Sequence, residues 1–178
     1  MDYVTIASAG NAIDFGDLLL VEQTNPAACA STTRGLIGGG QGPVTNVIWY
    51  ITIATTGNAI DFGDLTQNRA FPASCSSSTR GVWGGGDNRA GVYYNVIDYV
   101  TIASTGNATD FGDIITAANA HAACASPTRG LFSGSSSPST SNVIQYITIA
   151  TTGNSTDFGD LSSARGGGVG ISSAHGGL

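Results

Sequence analysis

In the stretch from Asn95 to Thr105, Val96, Asp98, Val100 and Ile102 alternate with Ile97, Tyr99, Thr101 and Ala103. A period of two residues places these sets on opposite faces of a strand. One face is aromatic and small and the other largely aliphatic, which suits a strand held between neighbouring sheets. The same wording returns as YVTIAS from Tyr3, YITIAT from Tyr50, YVTIAS from Tyr99 and YITIAT from Tyr146. The central threonines, Thr5, Thr52, Thr101 and Thr148, are separated by 47, 49 and 47 residues. Each copy runs on through a Gly-Asn pair into DFGD: Asp14 to Asp17, Asp61 to Asp64, Asp110 to Asp113, Asp157 to Asp160. A second landmark lies between the copies: TRGLIGGG from Thr33, TRGVWGGG from Thr79 and TRGLFSGS from Thr128.

A repeat therefore reads as four strands. In the copy around residue 90 they are AFPASCSSS from Ala70, RGVWGGG from Arg80, NVIDYVTIAST from Asn95 and ATDFGDI from Ala108. The Gly106-Asn107 pair turns the chain between the last two, because Gly and Asn tolerate positive φ. No segment shows a capped helical period, so the chain is expected to be all-β. Self-similarity near 50 residues predicts an array of sheet units, and four-stranded units in series are the blades of a propeller. The whole chain, 1–178, is one repeat domain with landmarks at 3–18, 33–65, 79–114 and 128–161. A degenerate segment, 165–178, ends in SSAHGGL (Ser172–Leu178).

Composition bears on whether this pattern folds. Charged residues are only 10% and Gly numbers 26, a balance shared with some disordered chains. The regular clusters of Val, Ile, Tyr, Phe and Trp argue instead for a folded, turn-rich protein. The net charge is −6 and all six basic residues are scattered arginines. Without a basic stripe, neither nucleic acid nor an anionic membrane surface is an expected partner. No apolar run is long enough to span a bilayer, and MDYVTIAS has no basic or apolar leader region, so no Sec signal is read.

Cys29, Cys75 and Cys124 occupy matching repeat positions, so their spacing reflects the repeat, and each is expected to be a free, buried small hydrophobe. The paired CxxC spacing of a zinc site is absent.

At these residues the chain resembles the kelch repeat: Arg69, Gly84-Gly85, Tyr99 and Phe111 in one copy, Arg34-Gly35, Gly38-Gly39, Tyr50 and Phe62 in the previous one. The second aromatic is Phe where kelch repeats usually carry Trp. The resemblance implies a small kelch-like propeller of about four four-stranded blades. The chain enters at a third strand (Asp2–Ser8) and leaves in a second (His175–Leu178), so one blade is expected to be completed by both termini; alternatively the ends join another subunit. The repeat wording is also similar to repeat proteins of tailed phages of marine bacteria, cyanophages in particular. That resemblance implies a structural virion or fibre-associated protein, located in the virion or released by lysis, whose partners are other virion proteins or copies of itself.

Several motifs carry competing readings. DFGD invites comparison with the kinase magnesium motif, but it recurs at repeat period and no lysine is present to pair with it. Eight of the twelve acidic residues, Asp14, Asp17, Asp61, Asp64, Asp110, Asp113, Asp157 and Asp160, fall in the GNxxDFGD segments. Hydrogen-bonded turns are the first expectation for them and calcium ligation the second, since the ordered EF-hand spacing is missing. Arg34, Arg80 and Arg129 are expected to reach backbone carbonyls or DFGD carboxylates, with an inter-unit Arg–Asp pair favoured; an anion-binding ring is the alternative. His121 and His175 stand alone, without a triad or metal arrangement. The glycine triplets lack a following helix and the GK[ST] ending of a phosphate loop, and are expected to let backbones crowd near the propeller axis.

What varies between repeats is the segment joining the second and third strands: Gln41–Thr45, Asp87–Tyr94 and Ser135–Ser141. These should emerge together, where binding residues usually sit. Tyr93 and Tyr94, with Arg89 and Trp49 further out, are the candidates for stacking on sugar rings. No catalytic residue and no cofactor other than calcium is predicted. The expected function is non-enzymatic: a structural protein of a phage virion or fibre, with a carbohydrate-binding, lectin-like propeller for host-surface recognition as the alternative.

Overall fold

The computed structural model describes residues 1–19 and 23–171. Among them the chain is all-β, without a helix. The strands β1 (Asp2–Tyr3) and β2 (Ile13–Asp14) pair antiparallel as an isolated hairpin. Three four-stranded antiparallel meanders follow. Unit one holds β3 (Ala27–Ala30), β4 (Arg34–Gly38), β5 (Val47–Thr52) and β6 (Ile60–Asp64). Unit two holds β7 (Ala73–Ser76), β8 (Arg80–Gly84), β9 (Val96–Thr101) and β10 (Thr109–Asp113). Unit three holds β11 (Ala122–Ala125), β12 (Arg129–Ser135), β13 (Ser141–Thr148) and β14 (Thr156–Arg165).

The strands sit where the alternation places them, with shorter ends. β7 starts at Ala73 because Ala70 pairs with Asp87 across the linker and Phe71 adopts a φ of 53°, outside strand geometry. β9 ends at Thr101, where Ser104 N donates back to Thr101 O at 3.2 Å. Within β10 the ladder slips between Asp110 and Gly112. Gly112 has a φ of 139°, and the Asp110 carboxylate accepts its N–H at 3.0 Å. The same Asp-to-Gly turn recurs at Asp14–Gly16, Asp61–Gly63 and Asp157–Gly159.

The units pack face to face through two cores. One joins units one and two, with Leu36, Ile48, Phe62 and Leu65 meeting Trp83, Val100 and Ile102. The other joins units two and three, with Val82, Ile97, Phe111 and Ile114 meeting Phe132, Ile147 and Ile149. Burying one such side chain is worth about 1.5–3 kcal/mol, so the inter-unit cores dominate the stability. The glycine triplets serve these contacts. A Cβ on Gly38 would lie 2.9 Å from the Trp83 ring, and one on Gly84 would lie 3.0 Å from Phe132. Trp83 spends its single donor on Ala27 O of unit one at 3.1 Å. The glycines thus admit the next unit's aromatic ring.

A second, polar seam runs between the outer strand of each unit and the Gly-Asn turn of the next. Gly57 N donates to Phe15 O, Gly106 N to Phe62 O and Gly153 N to Phe111 O, each at 2.7 Å. Ala59, Ala108 and Ser155 N–H groups donate to Asp17, Asp64 and Asp113 carbonyls. In return, the Asp17, Asp64 and Asp113 N–H groups donate to the side chains of Asn58, Asn107 and Asn154 at 3.0–3.1 Å. The asparagine of the pair therefore works across units; it does not hold a positive φ in the turn.

The sheets do not close on one another: a Cβ on Gly16, Gly63 or Gly112 would meet the following Gly-Asn turn, whereas nothing lies within 4 Å of one placed on Gly159. Residues 165–171 take the place of a fourth first strand beside unit three. Gly167 N donates to Ala120 O as Ala120 N does to Phe71 O and Phe71 N to Asn25 O, and Gly170 packs on Ala123 and Cys124; the expected pairing of the C-terminal piece with the N-terminal piece falls on residues outside the described ones. Residues 172–178, with the SSAHGGL motif and His175, lie outside the described residues.

Candidate functional site

The variable loops leave each sheet at the end where the linker to the next unit enters. Thr45 O of the first loop accepts from Arg69 N of the following linker at 3.1 Å, and Tyr94 O of the second accepts from Ala118 N at 3.2 Å. Their positions in the meander put all three at one end of the array, opposite the Gly-Asn turns.

The Asp87–Tyr94 loop is the most firmly built of the three. Asp87 exchanges backbone bonds with Ala70, and its carboxylate accepts Arg89 N at 2.6 Å and the Asn119 side-chain amide. Asn88 Oδ1 accepts the N–H groups of Ala90 and Val92 at 2.9 and 3.0 Å. Arg89, at a φ of 60°, lies 5.0 Å over the Phe71 ring and 3.7 Å from the Asp87 carboxylate. Arg89 is exposed, and Tyr93 and Tyr94 are half-buried. Trp49 is not available to a ligand: it is buried in β5, with 1% of its surface exposed.

Unit three carries a cavity of about 230 Å³ beneath the Ser135–Ser141 loop, lined by Ala118, His121, Gly134, Ser139 and Gln145 among others. Its origin is legible in the repeat. Ala118 and Gln145 stand where unit two has Arg69 and Asp98. In unit two the Arg69 guanidinium fills that space, donating to Gly85 O at 3.1 Å, Val96 O at 2.9 Å and the Asp98 carboxylate. In unit three Gln145 Oε1 instead accepts from Ile115 N and the Ser155 hydroxyl. His121 is buried with Nδ1 against Gly134 O, and burial pulls its pKa below the ordinary value, with the Gly134 bond opposing.

Arg34 and Arg80 adopt the carbonyl arrangement, and among the described residues the favoured inter-unit Arg–Asp pair is not formed by any TRG arginine. Arg34 Nη1 donates to Ile102 O at 2.9 Å and Arg80 Nη1 to Ile149 O at 2.8 Å, each reaching the next unit. Arg34, Arg80 and Arg129 also lie 4.6–4.8 Å over Tyr50, Tyr99 and Tyr146. Arg34 and Arg80 thus spend their charge on a carbonyl and a ring face, and Arg129 lies over a ring face alone. The ion pairs among the described residues are Arg69–Asp98 and Arg89–Asp87. Asp98 escaped notice in the sequence because it occupies one position of an otherwise apolar strand face. The signal was the change at that position, from Trp49 to Asp98 to Gln145.

The DFGD carboxylates are not gathered. The first of each pair turns back to its own glycine, and among the described residues no three His, Cys, Asp or Glu side chains converge on a point. The three cysteines are free thiols: Cys75 is buried, while Cys29 and Cys124 are half-buried. Burial raises all three pKa values, Cys29 to about 12. Each of the first two faces the second-strand glycine of the next unit, Cys29 opposite Gly81 and Cys75 opposite Gly130, which makes them packing groups. No protein-family model matches the chain, and a comparison with curated proteins gives no match either.

Proposed function

We propose that this chain is a non-enzymatic structural protein, a small kelch-like propeller that serves in a phage virion or fibre and assembles through, or presents, its repeat surfaces. The observation that carries the reading is the use to which the recurring polar groups are put. Three Gly-Asn turns, the three DFGD edges they meet, and Arg34 and Arg80 are spent on joining one element of the array to the next. Chemistry repeated at fixed period and consumed in packing belongs to a scaffold; catalysis gathers unlike groups in one cleft.

The propeller architecture draws support from the first strands. Ser74 and Ser76 hydroxyls of β7 donate to Ala28 O and Ala30 O of β3 at 2.8 Å. Residues of β3, β7, β11 and the Gly170-Ile171 stretch line one cavity of about 330 Å³. Innermost strands gathered around a shared space are what a propeller axis requires. The virion setting rests on the wording of the repeats, which is similar to phage repeat proteins.

A second reading, a lectin-like propeller, is favoured by the braced Asp87–Tyr94 loop with its exposed Arg89 beside Tyr93 and Tyr94. Electron microscopy of the purified chain together with glycan-array binding separates the two. Defined particles without glycan retention support the structural reading. Glycan binding that disappears in Tyr93→Ala or Tyr94→Ala replaces it with the lectin.

A further inference from the structure

The two ends of the described array are the two halves of a junction that the chain forms three times within itself. At each internal junction the later element supplies a Gly-Asn turn and the earlier one a Phe-Gly-Asp edge, with the same hydrogen bonds. Gly10, Asn11 and Ala12 repeat Gly57, Asn58 and Ala59 in sequence, but Ala12 is exposed where Ala59 is buried, and among the described residues neither Gly10 nor Ala12 donates its N–H to a backbone carbonyl. At the other end, Phe158, Gly159 and Asp160 repeat Phe62, Gly63 and Asp64 with no turn upon them.

The apolar halves match as well. Ile102 and Ile149, which enter the preceding unit's core, are 2% and 1% exposed, whereas Ile6 at the same position of the hairpin is 98% exposed. Phe62 and Phe111, each covered by a following unit, are 2% and 3% exposed, whereas Phe158 is 53% exposed. Leu131, Ile144 and Leu161 around it are only half-buried, although their counterparts Val82, Ile97 and Ile114 are buried. Arg34 and Arg80 each donate to a carbonyl in the next unit, and Arg129 has the same cation–ring seat on Tyr146 without such a carbonyl among the described residues.

We propose that the occupant of each end is a second copy of this chain, docked head to tail: the Tyr3–Phe15 hairpin of one copy covers the unit-three face of another. This rests on the reading of the chain as an assembling structural protein. The register follows from the internal junctions. Gly10 N donates to Phe158 O, Ala12 N to Asp160 O, Asp160 N to the Asn11 side chain and the Arg129 guanidinium to Ile6 O of the partner. Val4 and Ile6 enter the socket of Leu131, Ile144, Phe158 and Leu161. Such an interface is heterologous, so copies add one after another until the rotation closes a ring or continues as a filament.

Sedimentation of the 178-residue chain over a range of concentrations tests this, alone and with two variants. Ile6→Asp spoils one end and Phe158→Asp the other; both side chains are exposed, so each variant should keep its melting transition. Should Phe158→Asp fail to fold, Arg129→Ala takes its place. The wild type should grow in mass with concentration, and each variant alone should associate at least about tenfold more weakly. Mixed together, the two variants should form a one-to-one dimer, because each retains one sound end. A wild type that stays monomeric throughout overturns the proposal. Oligomers that persist unchanged in both variants also overturn it, while leaving the structural reading intact because assembly then uses another surface.

Discussion

Arg69 and Asp98 form an ion pair in which neither side chain has any exposed surface, Nη2 of the first donating to Oδ2 of the second. Burial pulls the guanidinium pKa below its ordinary value, and the Asp98 charge opposes that shift. Thr66 adds two bonds to the same carboxylate, from its N–H at 3.1 Å and its hydroxyl at 2.7 Å. A charge pair so far from water is held by its mutual bond and by these further partners, with only Arg69 Nε left unbonded, and removing either member leaves the other uncompensated.

That imbalance sets the first expectation. Asp98→Gln or Arg69→Ala alone should lower unfolding stability by about 3–5 kcal/mol, read by urea denaturation. The double change Arg69→Ala with Asp98→Gln reproduces the Ala118–Gln145 arrangement of unit three and should lose clearly less than the two single losses together. An additive double variant would show that the pair is not coupled.

The glycine at the polar seam gives a second comparison. A Cβ on Gly63 would sit 2.5 Å from the Gly106 carbonyl carbon at a φ of 141°; Gly159 has nearly the same φ, 140°, but open space around it. Both Gly→Ala changes carry the backbone strain of a left-handed residue, about 1–2 kcal/mol, and only the first also disrupts a junction. In dilute solution Gly63→Ala should therefore melt well below Gly159→Ala. Equal melting temperatures would mean that the seam contributes little.

His121 should make the fold acid-sensitive. Its folded pKa lies below the ordinary histidine value, so the unfolded chain binds the proton more readily. The stability it contributes is present above about pH 6.5 and is lost as the pH falls through the folded value. The drop in melting temperature between about pH 7.5 and about pH 5.5 should shrink in His121→Gln relative to the wild type. An unchanged drop would place the sensitivity elsewhere.

The thiols should respond at the alkaline end. With folded pKa values raised by burial, Cys29 to about 12, the unfolded chain loses its thiol protons first. Stability is thus full below the ordinary thiol pKa of about 8.5 and declines as the pH rises towards the folded values. In native protein at neutral pH, Cys75 should label slowest with a thiol reagent, and all three should react at once in denaturant. Rapid native labelling of Cys75, or a disulfide between any two, would contradict the packing role.

How much of this was legible in the sequence differs by feature. The repeat, the strand order and the absence of helix from the described residues follow from local alternation, because side chains of a strand must face opposite ways whatever lies beyond them. The inward direction of Phe62 and Phe111 could be read for the same reason, and Tyr99 and Phe111 do meet edge to face, 5.8 Å apart. The tasks of Asn107 and Arg80 could not be read locally. Each completes its bonding in a neighbouring unit, Asn107 on Asp64 and Arg80 on Ile149, and such partners are fixed by how sheets stack. Trp49 shows the limit most plainly: as an aromatic it suited a sugar platform, and only the packing of the folded array around β5 buried it. Ile6 and Ile102 sit at the same place in the same repeat, yet one is exposed and the other buried. The sequence by itself determined what each unit is. Which copy of a residue is covered was decided by tertiary structure alone, because burial depends on the presence of a neighbour and not on the residue itself.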